Sequence, residues 1–252
     1  MAGKKVVFLG AKDIGLECLK ILHEQQERLN YQIVGVLTNS RGVNVKEYCR
    51  ISGLPILNSL NDYMDVAQID IAISIQYHEI LTKNHIDKVN EIIVNLHMAP
   101  LPDYRGCNQF SFAIIDQVNE FGTTIHRLEE GIDDGAILFE KRFPIPPDIW
   151  VEDLYNLTFT ESIALFENNL GDLVSGKYSL IDQRGLLRER GTSFHYRKEI
   201  ETIKRIDLDW PQSKIERHIR ATYHQQFKPP YTIIGGRKVY FSLKNQVNLA
   251  SN

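Results

Sequence analysis

What most constrains the fold of this chain is an alternation that repeats through its first hundred residues: short unbroken Val/Ile/Leu runs, each followed by a longer segment with helical spacing. Lys5-Val6-Val7-Phe8-Leu9-Gly10 closes on a glycine and leads into Ile14 to Leu22, where apolar residues return every three or four positions. Ile33 to Leu37, Pro55 to Leu57, Ile69 to Ile75 and Ile92 to Asn95 read as further strands, with helices at Val45 to Ser52 and Leu81 to Val89. Strands that are apolar along their whole length are covered on both faces. The pattern therefore predicts a Rossmann-like, three-layer α/β unit with a mainly parallel sheet.

The second half changes character. Thr123 to Leu128 and Ala136 to Phe143 read as longer strands flanking Gly131-Ile132-Asp133-Asp134-Gly135, a turn-forming segment. Glu152 to Leu173 is expected to be one long helix with Leu154, Leu157, Ile163, Leu165, Phe166 and Leu170 on its buried side. Beyond Gly176 the spacing becomes irregular, and a division is expected between residues 176 and 200. Trp210-Pro211 then precedes a helix from Gln212 to Tyr223, and two apolar runs joined at Gly235-Gly236 predict a closing β-hairpin.

Charge and cysteine content exclude several classes. Across 252 residues, 29 Lys and Arg face 32 Asp and Glu, a net charge of −3, which argues against a nucleic-acid or membrane-surface partner. Cys18, Cys49 and Cys107 are few and far apart, so neither a disulfide framework nor a zinc ribbon is expected. No uncharged apolar stretch approaches the roughly 20 residues of a membrane span. The opening apolar run is too short for a secretory signal, which makes the cytoplasm the expected compartment.

Three segments are candidates for chemistry. Gly10-Ala11-Lys12-Asp13-Ile14-Gly15 invites a dinucleotide reading, but Lys12 stands where the fingerprint needs a glycine, so a structural turn is the better reading. Asn95 and His97 lie two apart at the end of an apolar strand, where period-two alternation turns both to one side. An amide can donate to a developing oxyanion and an imidazole can move a proton near neutral pH; the alternative is a strand-end histidine bonded to a backbone carbonyl. Asp133, on its glycine-flanked loop, is either a turn residue or a carboxylate brought beside the histidine. No serine elbow, Walker loop or metal-spaced histidine cluster competes.

Asn95-x-His97, then Leu101-Pro102-x-Tyr104-Arg105-Gly106, His126 and Gly131-Ile132-Asp133-x-Gly135, resembles the signature of formyltransferases that use 10-formyltetrahydrofolate. The resemblance covers roughly residues 4–175. It implies an Asn95, His97 and Asp133 trio, with no metal, acting on a formyl group carried by a folate. It implies that the folate lies along Ser74 to Leu81, with Ser74, Gln76, Tyr77, His78, Ile80 and Asp133 at the cofactor. The tail, with Trp210-Pro211, Ile219-Arg220-Ala221 and Pro229-Pro230-Tyr231, looks like the compact C-terminal region of nucleotide-linked amino-sugar N-formyltransferases.

That likeness implies residues 1–178 as a catalytic domain and 179–252 as a small substrate-binding and dimerisation region. Tyr104, Arg105, Gly106, Tyr196, Arg197, Arg220 and Tyr223 would meet a nucleotide-linked amino sugar, dTDP-linked by the same resemblance. A methionyl-tRNA enzyme, expected to bring a larger C-terminal barrel and a basic surface, is the rival; a folate- or nucleotide-binding module without turnover is another. The hairpin's apolar Ile233, Val239 and Phe241 predict a homodimer through the C-terminal region.

Overall fold

A computed structural model describes residues 3–242. The first half runs β1 (Lys4–Gly10), α1 (Lys12–Glu24), α2 (Gln26–Leu29), β2 (Tyr31–Leu37), α3 (Val43–Ser52), β3 (Ile56–Leu57), α4 (Leu60–Asp65), β4 (Ile71–Ile75), α5 (Lys83–Asp87) and β5 (Ile92–His97). There follow β6 (Arg105–Gly106), α6 (Gln109–Ile115), β7 (Glu120–Arg127), β8 (Ile137–Pro144) and α7 (Val151–Ser175). The remainder holds α8 (Gln183–Arg190), β9 (Phe194–His195), a 3-10 turn (Arg197–Glu199), α9 (Ile200–Lys204), α10 (Gln212–Thr222) and the hairpin β10 (Tyr231–Ile234) and β11 (Arg237–Tyr240).

Seven strands form one sheet in the order β3-β2-β1-β4-β5-β7-β8. The first five are parallel; β7 pairs antiparallel with β5, and β8 antiparallel with β7. Alternation along each strand sends side chains to two separate cores. Val6, Phe8, Ile71, Ile73 and Val94 face α1, α3 and α7, burying Ile14, Cys18, Leu19, Phe166 and Leu170. Val7, Leu9, Ala72 and Ile93 face the other way, against Tyr63 of α4 and Leu81. Both faces are dry, which is why these strands read as continuous apolar runs. Strand order reverses direction at β1, so a crevice opens beyond the carboxyl ends of β1 and β4, where ligands of open α/β sheets bind.

The chain after Gly176 folds back onto this core. β9 pairs with β6, so Phe194 and His195 lie beside Arg105 and Gly106. Gly106 has φ +85°, and a Cβ there would stand 2.5 Å from the His195 carbonyl oxygen, so only glycine allows the two segments to meet. No helix among the described residues is long and apolar enough to cross a membrane.

Candidate active site

β5 ends in Asn95-Leu96-His97, and β7 lies beside it in a register that sets Asn95 opposite His126. Cross-strand neighbours share a face, so the amide and the imidazole meet: Asn95 Nδ2 is 3.1 Å from His126 Nε2. His126 Nδ1 lies 2.9 Å from the Arg127 carbonyl, which assigns the neutral ring's proton to Nδ1 and leaves Nε2 to accept from the amide. His97 Nε2 donates to the Tyr104 carbonyl at 3.0 Å.

Asp133 completes the group. Its Oδ2 is 3.6 Å from His97 Nδ1 and its Oδ1 is 3.6 Å from His126 Nε2, so one carboxylate stands between two imidazoles. Oδ2 also accepts the Gly106 N–H at 2.9 Å. Burial works to raise this carboxyl; the charge that His97 and His126 carry when protonated and the Gly106 N–H outweigh it and hold Asp133 well below the usual carboxylate range. The His97 ring is thus tied to a backbone carbonyl and also stands beside a carboxylate.

Backbone strain gathers here. Asp133 (φ 54°), Tyr104 (55°), Gln76 (55°) and Lys12 (60°) are all non-glycine residues in the left-handed region, which side chains occupy at a cost the surroundings must offset. For Asp133 part of the offset comes from Gln183 on α8, whose Nε2 donates to the carbonyls of Asp133 at 2.9 Å and of Gly135 at 2.7 Å.

The remaining sequence-derived candidates separate. Ser74 is buried at the end of β4, in register with Asn95. Gln76 accepts a hydrogen bond from Lys12 Nζ at 2.8 Å. Tyr77 packs toward the core on the α4 face, and burial pushes its phenol up. His78 bonds Asn39, while Ile80 is 80% exposed. Arg105 lies over the Phe194 ring, 5.9 Å from its centroid, and exposed Tyr196 and Arg197 continue from the same strand.

Three candidates have other partners in the structure. Tyr104 does not offer its side chain to a ligand: its ring is 3% exposed, packs on Phe121 and donates its hydroxyl to Asp116 at 3.1 Å. Left-handed backbone turns the apolar ring inward and leaves only the carbonyl at the site. Arg220 spends its guanidinium on the carbonyls of Pro147 and Ile149, and Tyr223 packs edge-on to Trp150, so both brace the loop before α7 and neither bonds to the trio.

A groove of about 740 Å³ runs between α5 and segment 127–131, walled by Lys83, Ile86, Ile93, Leu128 and Gly131. Gly131 lies two residues before Asp133. Ile132, next along, is 55% exposed.

An open parallel sheet that gathers an amide, two imidazoles and a carboxylate at the end of a central strand defines a class of α/β protein acting on a ligand at the strand ends. Residues 4–168 match the formyl transferase family, and the chain belongs to it. A GDP-perosamine N-formyltransferase of Brucella melitensis biotype 1 is 28% identical over 172 residues, 68% of this chain and 63% of that protein. The chain thus spans under two thirds of that relative's length. A methionyl-tRNA formyltransferase of Geobacillus sp. is 27% identical over 260 residues, 95% of this chain and 78% of its own.

Among solved structures, a sugar N-formyltransferase from a Shewanella species superposes with a TM-score of 0.78 at 22% identity, covering 95% of this chain and 97% of that one. The N-formyltransferase from Helicobacter canadensis, in complex with folinic acid and dTDP-3-aminofucose, gives 0.77 at 21% identity over 94% and 86%. At these identities the likeness is one of fold.

Proposed function

We propose that this protein transfers a formyl group from 10-formyltetrahydrofolate to the amine of a nucleotide-linked amino-dideoxy sugar, dTDP-linked, supplying surface polysaccharide synthesis in the cytoplasm. The observation that carries the reading is the convergence of Asn95 and His97, neighbours on one strand, with the distant Asp133 at the carboxyl end of β5. Ile80 and Ile132, exposed on segments leading into the groove's two walls, suit the apolar faces of a pterin. The names of the sugar N-formyltransferase relatives support the acceptor class. Residues 179–252, which bring Tyr196 and Arg197 beside Arg105, are read as the substrate-binding and dimerisation region.

In this reading each residue of the trio has a role. Asn95 gives one amide hydrogen to His126 and keeps the second for the formyl oxygen, which gains charge as the amine adds. The Nε2–H of His97 is committed to the Tyr104 carbonyl, so Nδ1 is the nitrogen that takes the proton leaving the amine, directly or through a water. Asp133, 3.6 Å away, stabilises the imidazolium so formed, which returns the proton to N10 of the folate as the N10–formyl bond breaks and tetrahydrofolate leaves.

Incubation with 10-formyltetrahydrofolate and dTDP-, UDP- and GDP-linked amino sugars, with charged methionyl-tRNA as a control, tests the reading. Formylation of a nucleotide sugar is expected; tetrahydrofolate released only with tRNA would overturn it.

A further inference from the structure

Ser193, half-buried just before β9, has no part in the formyl transfer just described. It nevertheless holds both peptide groups that flank the Tyr104 Cα. Its Oγ accepts the Tyr104 N–H at 2.8 Å, and its carbonyl accepts the Arg105 N–H at 3.0 Å. The hydroxyl proton goes to Asp103 Oδ1, which also accepts the Tyr104 N–H at 3.0 Å. A hydroxyl, a carboxylate and a peptide N–H are thus closed into one triangle of hydrogen bonds. The contacts on either side run the same way: Thr192 Oγ1 donates to the Pro102 carbonyl, and the Cys107 N–H to the His195 carbonyl, both at 2.9 Å. What they secure is the left-handed backbone of Tyr104, which a residue with a side chain keeps only under constraint.

Two bonds of the site start from this turn. The Tyr104 carbonyl takes the Nε2–H of His97 at 3.0 Å, and two residues on the Gly106 N–H reaches Asp133 Oδ2 at 2.9 Å. A neutral imidazole has one proton for two nitrogens, and both nitrogens of His97 face an oxygen. The Tyr104 carbonyl is within hydrogen-bond distance of Nε2; the Asp133 carboxylate, 3.6 Å from Nδ1, is beyond it. A carboxylate is the stronger acceptor of the two, so the Nε2–H form depends on the carbonyl's staying in place. An outward shift of that carbonyl hands the proton to Nδ1. A protonated Nδ1 has no lone pair left for the proton that leaves the amine.

We propose that Ser193 is a positioning residue for His97: through the Tyr104 peptide it keeps the imidazole proton on Nε2 and leaves Nδ1 free to act as the base. This rests on the formyl transfer proposed above. It gives the C-terminal region a part in the proton transfer without contact with the reacting atoms, as outer hydrogen bonds orient the histidines of metal sites.

The full chain with 15N-labelled histidine, at alkaline pH where the rings are neutral, reports the tautomer through its ring-nitrogen shifts; His97 is assigned by the signals lost in His97→Gln. The parent is expected to show a protonated Nε2 and an unprotonated Nδ1. Ser193→Ala is expected to move His97 toward the Nδ1–H form and to lower kcat about tenfold to a hundredfold, with acceptor KM within about twofold of the parent. Ser193→Thr keeps the hydroxyl and is expected to restore both the tautomer and kcat, whereas a role in folding alone would leave the tautomer unmoved. Asp103→Ala opens the same triangle from the other side and is expected to shift the tautomer likewise, so the outcome does not hang on the folding of one variant. The proposal is overturned if the parent carries the proton on Nδ1, if the Ser193→Ala and Asp103→Ala variants keep the Nε2–H form, if Ser193→Ala keeps the parent kcat, or if threonine fails to restore what alanine removes. A tautomer shift reversed by threonine, in a protein that formylates no nucleotide-linked amino sugar, would sustain the hold of Ser193 on His97 and sink the acceptor reading.

Discussion

Asp133 keeps its charge in a setting that ought to suppress it. Burial favours the neutral acid, yet His97, His126 and the Gly106 N–H together stabilise the carboxylate more strongly. Because the folded pKa is depressed, the stabilisation this charge contributes is present above the unfolded value of about 3.9 and is lost only as pH falls through the lower folded value. Asp133 is therefore ionised at every ordinary assay pH, and the rate–pH profile is expected to show no inflection near pH 4 from this group. Asp133→Asn preserves shape and removes charge. Its turnover is expected to fall by about 10²–10⁴-fold, while its melting temperature moves by only a few degrees. Initial rates and thermal melts on one preparation check both statements, and near-parental turnover would contradict the role given to the carboxylate.

At the scale of elements, what was legible in the sequence is what local pattern controls. β1 to β5 and α7 announce themselves through runs and spacings that any buried strand or long helix must have. β6 and β9 are two residues each and exist only because segments 89 positions apart meet, so neither has a local signal. Asn95 and His97 could be read from their spacing on one strand. His126 stood in the recognised pattern without a role, since its partnership with Asn95 depends on β7 running antiparallel to β5, which no local motif reveals. Gln183 was invisible for the same reason: it reaches the Asp133 loop from α8, fifty residues along the chain.

That glutamine donates to two carbonyls of the 133–135 loop, and its own buried Oε1 has no protein partner. Gln183→Ala is expected to lower kcat by about tenfold to a hundredfold through misplacement of Asp133, with acceptor KM within about twofold of the parent. A variant in which kcat is unchanged, or in which only KM rises, would remove Gln183 from the catalytic geometry.

At the scale of the whole molecule, one element is poorly covered among the described residues. β10 and β11 form a two-stranded ribbon, a unit only marginally stable by itself. Its register sets Ile233 opposite Lys238 on one face, and Thr232 opposite Val239 on the other. Ile233, Ile234, Val239 and Tyr240 remain 41–55% exposed, so apolar area stands open on both faces. Scattered apolar exposure is ordinary on a protein surface; four such residues on eight strand positions make a patch that association would bury. A two-fold arrangement applies the same ribbon twice, so one patch covers its own copy, and a stable interface needs roughly 1,200–2,000 Å² in total. The expected outcome is a homodimer in sedimentation at micromolar concentration. Val239→Glu and Ile234→Glu, at positions already part-solvated and therefore tolerable in a monomer, should each shift the protein toward single chains with an unchanged far-ultraviolet circular dichroism spectrum. A parent protein that sediments only as single chains would show that the ribbon is not a dimer interface.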